Sequence, residues 1–545
     1  MKKAIAILLA VLMLLGMVAC SSTAKPQQTD TEPAKVETET PEVNESLTQI
    51  AEATTEEIES GAYEEDVRIA SEEDLPTADP YAAASSCPAY FTNLTFDTLI
   101  YLDVATSEVI PELASSWDDV NGDGTVWDIH LVENAKFHDG SDFTADDVIF
   151  TWNYVTDASK VVNVVSGAFV TNTQSIEAVD PYTVRFTLSQ PTPDFISNLE
   201  IKIYSETAFA NMSAEEAAVI GTGPYYFNQE MTTSGIQFVA TRNDAYWGGT
   251  EKYPTKNLIF VWMPNMDTAV AALQAGEVDV LFNVGASQAA TIESDSNCLL
   301  QYTSGTGSWY IGFNFNYRPI FSDLNLRKAI TMAVDKQSIV DVAFEGWASI
   351  SKSFVSPIGI GYSDSCTGLE YDTDAAKELL AQTAYNGETF VIAYPTATAG
   401  LVAQVIQASL SQIGINSELV AVDTNNWTAY KAGDQYDMFV DAAAYQGALL
   451  FNPTRFFYTG GSRNFYGYYS EQMESLIDGI AAKTSWDEML EEFKVLQQYI
   501  NDDIPAAPLV YDTMIYATRS DVQGLLLRGY KNSCDFSTLY IKARS

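Results

Sequence analysis

Between Pro111 and Val155 the hydrophobic period changes from two to that of a helix within a few residues, and this fixes what the region can become. Trp127, Ile129 and Leu131 alternate with Asp128 and His130, the pattern of a strand with one buried face. Asn121-Gly122-Asp123-Gly124 supplies residues that tolerate positive φ, which predicts a hairpin just ahead of that strand. His138-Asp139-Gly140 turns the chain again. Thr144 then stands three residues before Asp147, with Val148, Ile149 and Trp152 on one face, which predicts a capped amphipathic helix. Hairpin, turn and helix should follow one another directly.

The alternation continues along the chain. Tyr182, Val184, Phe186 and Leu188 read as a one-sided strand, as do Ile259, Val261 and Met263. Helical spacing follows from Asp267 to Gly276, after Asp323, from Thr373 or Asp374, and from Leu401 to Ile413 with Gly414 as its stop. Asn416 to Val422 returns as strand, and two amphipathic helices run near Gln472 to Ile480 and Trp486 to Ile500. Helices alternating with strands imply an α/β architecture. The chain of 545 residues is long enough for two or three cores.

The N-terminus reads differently. Lys2 and Lys3 precede an apolar run from Ala4 to Val18 that is too short to span a bilayer and resembles a signal peptide. Met17-Val18-Ala19-Cys20 resembles a bacterial lipobox, in which the cysteine is lipidated; ordinary secretion with an unmodified Cys20 is the other reading. Residues 21–66 hold 13 acids against two lysines and little that is apolar. Such a composition cannot offset the entropy of ordering, so a disordered tether is expected. Most of the net charge of −45 therefore belongs to the folded body. That charge argues against nucleic acid, which requires basic patches to replace counterions. Cys87, Cys298, Cys366 and Cys534 form no Cys-x-x-Cys or Cys/His cluster, so no zinc site is expected; disulfides and buried thiols both remain open.

Catalytic chemistry finds no support. The only histidines are His130, on the polar face of a strand, and His138, in a turn. Neither has a nucleophile motif beside it, and no G-x-S-x-G or H-E-x-x-H occurs. Both read as structural, and no enzyme, cofactor or metal is expected.

The order Pro111-x-Leu113-Ala114-x-Ser116-Trp117, a hairpin, Lys136-Phe137-His138-Asp139-Gly140 and Thr144-Ala145-x-Asp147-Val148 resembles the signature of the family 5 extracellular solute-binding proteins, the ligand-capturing components of peptide and related ABC importers. The likeness continues through Asp74-Leu75-Pro76, the Gly221-Thr222-Gly223-Pro224-Tyr225 turn, Arg242 to Gly249, Ala272 to Val280, Leu326 to Lys336 and Ile504 to Leu509. The resemblance implies a two-lobed periplasmic-binding-protein-like fold with a hinge and cleft. In it residues 67–105, 221–303 and 511–545 form the core of lobe 1, residues 106–220 an inserted domain, and residues 304–510 lobe 2. It further implies a monomer on the extracellular face of the cell membrane, handing a short peptide to ABC permease subunits. An oligosaccharide, a nickel complex or a surface-receptor role are the alternatives.

The cleft candidates follow from the same resemblance. Asp74 and Leu75 match the first-lobe cleft edge, and Trp309, Tyr310 and Asn314 lie on or near the crossing strand. Asp441, Tyr445 and Gln446 occupy the region where peptide-binding members carry a G-W-x-x-D turn, which is missing here. Arg455 and Arg463 could hold a ligand carboxylate or serve as local salt bridges.

Overall fold

The computed structural model describes residues 63–542, apart from 76, 83–88, 104–107, 162–164, 166, 444–451 and 528–534. Cys20 and the tether as far as residue 62 lie outside the described residues, as do Cys87 and Cys534. Cys298 and Cys366 are buried thiols. Tyr63 to Asp66, assigned to the tether from sequence, belong to the fold: Tyr63 bridges Lys542, and Glu64 donates to the Ile541 carbonyl.

Among the described residues one eleven-stranded sheet runs through both halves of the protein. In lobe 1, Val280–Leu281, Asp66–Ser71 and Asn257–Trp262 lie parallel, and Gln237–Arg242 and Tyr225–Phe227 follow antiparallel. In lobe 2, Asn416–Ala421, Thr389–Tyr394 and Met438–Ala443 lie parallel. Helix Ala397–Gln412 joins the first two of these, capped by Thr396 and covering the sheet with Val402, Ile406 and Leu410. The inserted domain has its own antiparallel sheet, ordered Ala114–Asp119, Val126–Leu131, Thr183–Leu188 and Thr173–Asp180. Helix Ala145–Val155 packs on it, with the Thr144/Asp147 capping box formed as the spacing predicts. One start differs: the helix expected from Asp267 runs Met266–Ala275, because the Asn265 side chain accepts from the Thr268 amide and caps it earlier.

Two strands carry the sheet between the halves. The first is Cys298–Phe313, longer than the stretch Ser308 to Asn316 that the sequence suggests, and the second is Ala506–Arg519. They pair antiparallel from Cys298/Arg519 to Gly312/Ala506, and the register shifts between Ser304 and Ser308. Gly305 and Gly307 sit in that shift beneath the Asp512 carboxylate. A Cβ on Gly305 would lie 2.1 Å from Asp512 Oδ1, and one on Gly307 2.8 Å from Oδ2. A side chain at either position would have to displace the Asp512 carboxylate. A ladder interrupted at one level, on both connecting strands, is where a hinge between rigid halves is easiest to bend.

Candidate functional site

Two cavities separate the inserted domain from lobe 2. One, of about 310 Å³, has Thr192, Asp194 and Glu200 on one wall and Asn452, Thr454 and Ile477 on the other. The second, of about 850 Å³, lies between Trp117, Asp119 and Trp127 on one side and Trp486 and Asp487 on the other. Pro193, Ser197 and Trp486 line both. Local chemistry positions these groups. Pro191 and Pro193 stiffen the loop that leaves the inserted sheet, and Ser485 caps helix Trp486–Asp503 by accepting from the Glu488 amide. Burial raises the Asp194 carboxyl above its ordinary range.

Among the described residues, those singled out from sequence are not brought together, and none of them lines these cavities. Asp74 accepts from the Leu75 amide through Oδ1 at 2.9 Å and from the Gly235 amide through Oδ2 at 3.1 Å, so it ties a turn of lobe 1. Leu75 is buried in the lobe 1 core. Trp309 and Tyr310 alternate on the first crossing strand and enter opposite cores of lobe 2, Trp309 against Phe344 and Tyr310 against Phe354. Asn314 is buried and donates to the Gly433 and Tyr436 carbonyls at 3.2 and 3.0 Å. Asp441 accepts from Lys431 Nζ and from Trp427 Nε1 at 3.0 Å. Arg455 and Arg463 are exposed and adjacent, the Arg463 amide donating to the Arg455 carbonyl at 2.8 Å, while Arg455 Nε reaches Ser462 Oγ at 3.3 Å. Tyr445 and Gln446 lie outside the described residues. Sequence reasoning missed the cavity groups Asp194, Glu200, Trp117, Trp127 and Trp486. For the acids the Pro191-x-Pro193-Asp194 loop was the one local signal; Trp127 reads from sequence as a buried-face strand residue and Trp117 as part of a signature, and neither pattern marks a cavity wall.

Comparison with known proteins decides the family. The model for bacterial extracellular solute-binding proteins, family 5 (middle), matches residues 108–465. The chain belongs to this family. It is 27% identical to the dipeptide-binding protein of Escherichia coli K12, over 82% of this chain and 87% of that one. It is also 27% identical to heme-binding protein A of Haemophilus influenzae, over 76% and 81%. The fold matches that of the ABC transporter substrate binding protein CtaP from Listeria monocytogenes, with a TM-score of 0.76, 21% identity, and coverage of 88% and 100%. As a family 5 solute-binding protein the chain captures a ligand and does not catalyse a reaction.

The family signatures converge on a junction within lobe 1. Gly221 and Gly223 press on the chain at Leu94 to Phe96, where a Cβ on Gly221 would stand 1.9 Å from the Thr95 carbonyl oxygen. Asp97 accepts from Tyr246 Oη at 3.0 Å and Trp247 Nε1 at 2.7 Å, while its own amide donates to Thr222 Oγ1. Burial, then the neighbouring Glu112, pushes the Asp97 carboxyl well above the ordinary range. His138 Nδ1 accepts from the Gly221 amide at 3.3 Å, and Nε2 lies 3.0 Å from the Gly223 carbonyl. In lobe 2, Arg327 is buried and donates to the Phe321 and Ile504 carbonyls at 2.6 and 3.0 Å. These motifs hold domains together.

His138 yields a pH prediction. With Nδ1 accepting from an amide, the ring must be neutral, and burial holds its pKa down to about 4. The unfolded chain would protonate near 6.5, so below that pH the unfolded state binds more protons and stability falls until about pH 4. The loss should be about 3 kcal/mol. Urea unfolding at several pH values, compared with His138→Gln, should show this slope in the wild type and not in the variant.

Proposed function

We propose that the chain captures a short peptide between its lobes and delivers it to the transmembrane subunits of an ABC importer. It does so as a monomer, held at the outer face of the cell membrane by lipid on Cys20. The observation that carries this reading is the joining of two lobes by two strands whose pairing is interrupted at Gly305 and Gly307, together with cavities walled by the inserted domain and lobe 2. A ligand that touches both walls favours the closed arrangement by whatever contacts the open one lacks. Family membership and the dipeptide-binding relative support the ligand class. Arg455 adjoins the cavity-lining Thr454, and we assign it to the ligand carboxylate, where a guanidinium can bond both oxygens.

Native mass spectrometry of the protein as purified tests the ligand class. Retained masses of short peptides are expected; a ladder of hexose masses would overturn the reading. The anchor is tested separately. Cys20→Ala should release the protein into the medium, and retention at the membrane would contradict lipidation. Among the described residues no helix is long and apolar enough to cross a membrane.

A further inference from the structure

We infer that an apolar latch between the lobes sets the share of the free protein that is closed; this rests on the two-lobed closure proposed above. Strands Ile100–Leu102 and Val109–Pro111 pair antiparallel, with Leu102 opposite Val109. Leu102 is 5% exposed and Ile360, from lobe 2, is fully buried, and the two belong to one apolar cluster. Val109 packs against that cluster from the hairpin, and Trp486 and Leu490 pack against it from lobe 2. Trp486 and Leu490 stand four residues apart at the start of helix Trp486–Asp503, so they share one face. Parting the lobes would return these side chains to water.

The latch is tied to the hinge. Ser356 Oγ donates to the Gly305 carbonyl at 2.6 Å, at the register break between the connecting strands. The chain turns there, the Gly359 amide donating to the Ser356 carbonyl at 2.7 Å, and Ile360 then enters the cluster. Gly361, at φ +74°, presses on the helix: a Cβ there would stand 2.8 Å from the Phe493 ring and 3.2 Å from Leu490. Gln497 fastens the same stretch, its Nε2 donating to the Gly361 carbonyl at 2.5 Å and its Oε1 accepting from the Ser363 amide at 3.3 Å. Ile360 is four Cα steps from Ser356, at most about 15 Å. Apolar contacts forfeit a quarter to a half of their attraction when parted by only ~0.5–1 Å. A small rotation about the break therefore releases the latch.

A second touch borders the larger cavity. Asp119 holds the turn at Gly122 and Gly124 by accepting from their amides at 2.9 and 2.7 Å. A Cβ on Gly124 would lie 3.6 Å from the Thr484 carbonyl oxygen, so this turn of the inserted domain lies against the residues that lead into the same helix. Trp486 belongs to the latch and also lines both cavities, so a ligand that fills them bears on the latch. Apparent affinity is the intrinsic affinity reduced by the closed share. The latch thus raises affinity for any ligand by the same factor, because it favours closure before the ligand arrives.

The test is small-angle scattering of the full chain, stripped of retained ligand by unfolding and refolding, as wild type, Val109→Ser, Leu490→Ser and the double variant. Both side chains are only partly buried, and urea unfolding should show each variant folded. The closed-to-open ratio of each single variant should fall about tenfold, so the ligand-free radius of gyration should rise above that of the wild type. The double variant should add little, since either change alone releases the shared contact. Val109→Thr, of the same shape, should move the radius in the same direction and replaces a serine variant that fails to fold. A ligand-free radius unchanged in every folded variant would overturn the inference. The peptide reading would stand, because retained ligand masses decide it separately.

Discussion

Replacing Asp441 by alanine should lower the stability of the protein by about 3–5 kcal/mol, because it strands a buried cation. Lys431 is 1% exposed, with its ammonium over the rings of Trp427, Phe439 and Phe465 at 4.9, 5.5 and 4.4 Å. Asp441 is its carboxylate partner, and no other salt bridge reaches Lys431 among the described residues. Burial already holds the lysine below its ordinary pKa, and Asp441 is the group opposing that shift. Without the aspartate the folded state should hold that proton less tightly still. The unfolded chain then binds more protons, so the variant's stability should climb as the pH rises towards the ordinary lysine range. Lys431→Met combined with Asp441→Leu should recover most of the loss, since an apolar pair of similar volume leaves no buried charge. Urea unfolding of the three proteins checks this. If Asp441 instead anchors the ligand from a solvated position, Asp441→Ala will lower affinity and leave the unfolding curve where it was.

Gly221→Val should be at least as damaging, with a loss of more than about 3 kcal/mol or failure to fold. The obstacle is backbone: the Thr95 carbonyl oxygen 1.9 Å from the added Cβ, with the Phe96 ring at 2.8 Å behind it. Relief requires parting the turn from the chain at Thr95, and with it the bonds from His138 to Gly221 and from Gly223 to Thr95. Gly479→Ala is the matched control. It lies inside helix Glu471–Ala481 with nothing within 4 Å of an added Cβ, so it should be neutral or stabilising by about 0.5–1 kcal/mol. Thermal unfolding of the two variants beside the wild type separates them. Equal melting temperatures would mean that the close approach at Gly221 does not exist.

Residues whose meaning is local were legible before the structure. The Thr144 capping box, the helix stop at Gly276 and the alternation of Thr183–Leu188 each depend on neighbours a few residues away, and each appears where its spacing predicts. The roles of Asp441, Trp309 and Asn314 depend on partners far along the chain or across a sheet. Spacing does not reveal that Trp309 and Tyr310 enter opposite cores of lobe 2, or that Asp441 meets Lys431. Most of the signatures that identify the family also fasten its domains; Trp117, which lines the larger cavity, is the exception. Asp194, Glu200 and Trp486 meet only because two distant segments face each other across a gap. No pattern within either segment encodes that meeting.

Capture depends on one motion, closure of two lobes about the Gly305–Gly307 break and the strand facing it. Small-angle X-ray scattering of the full chain, alone and saturated with a short peptide whose binding has been verified, measures it most directly. The radius of gyration should fall on saturation, and the fall should be lost or reduced in Gly305→Val, whose side chain meets Asp512 at the bend. An unchanged radius in the wild type at full occupancy would contradict capture by closure.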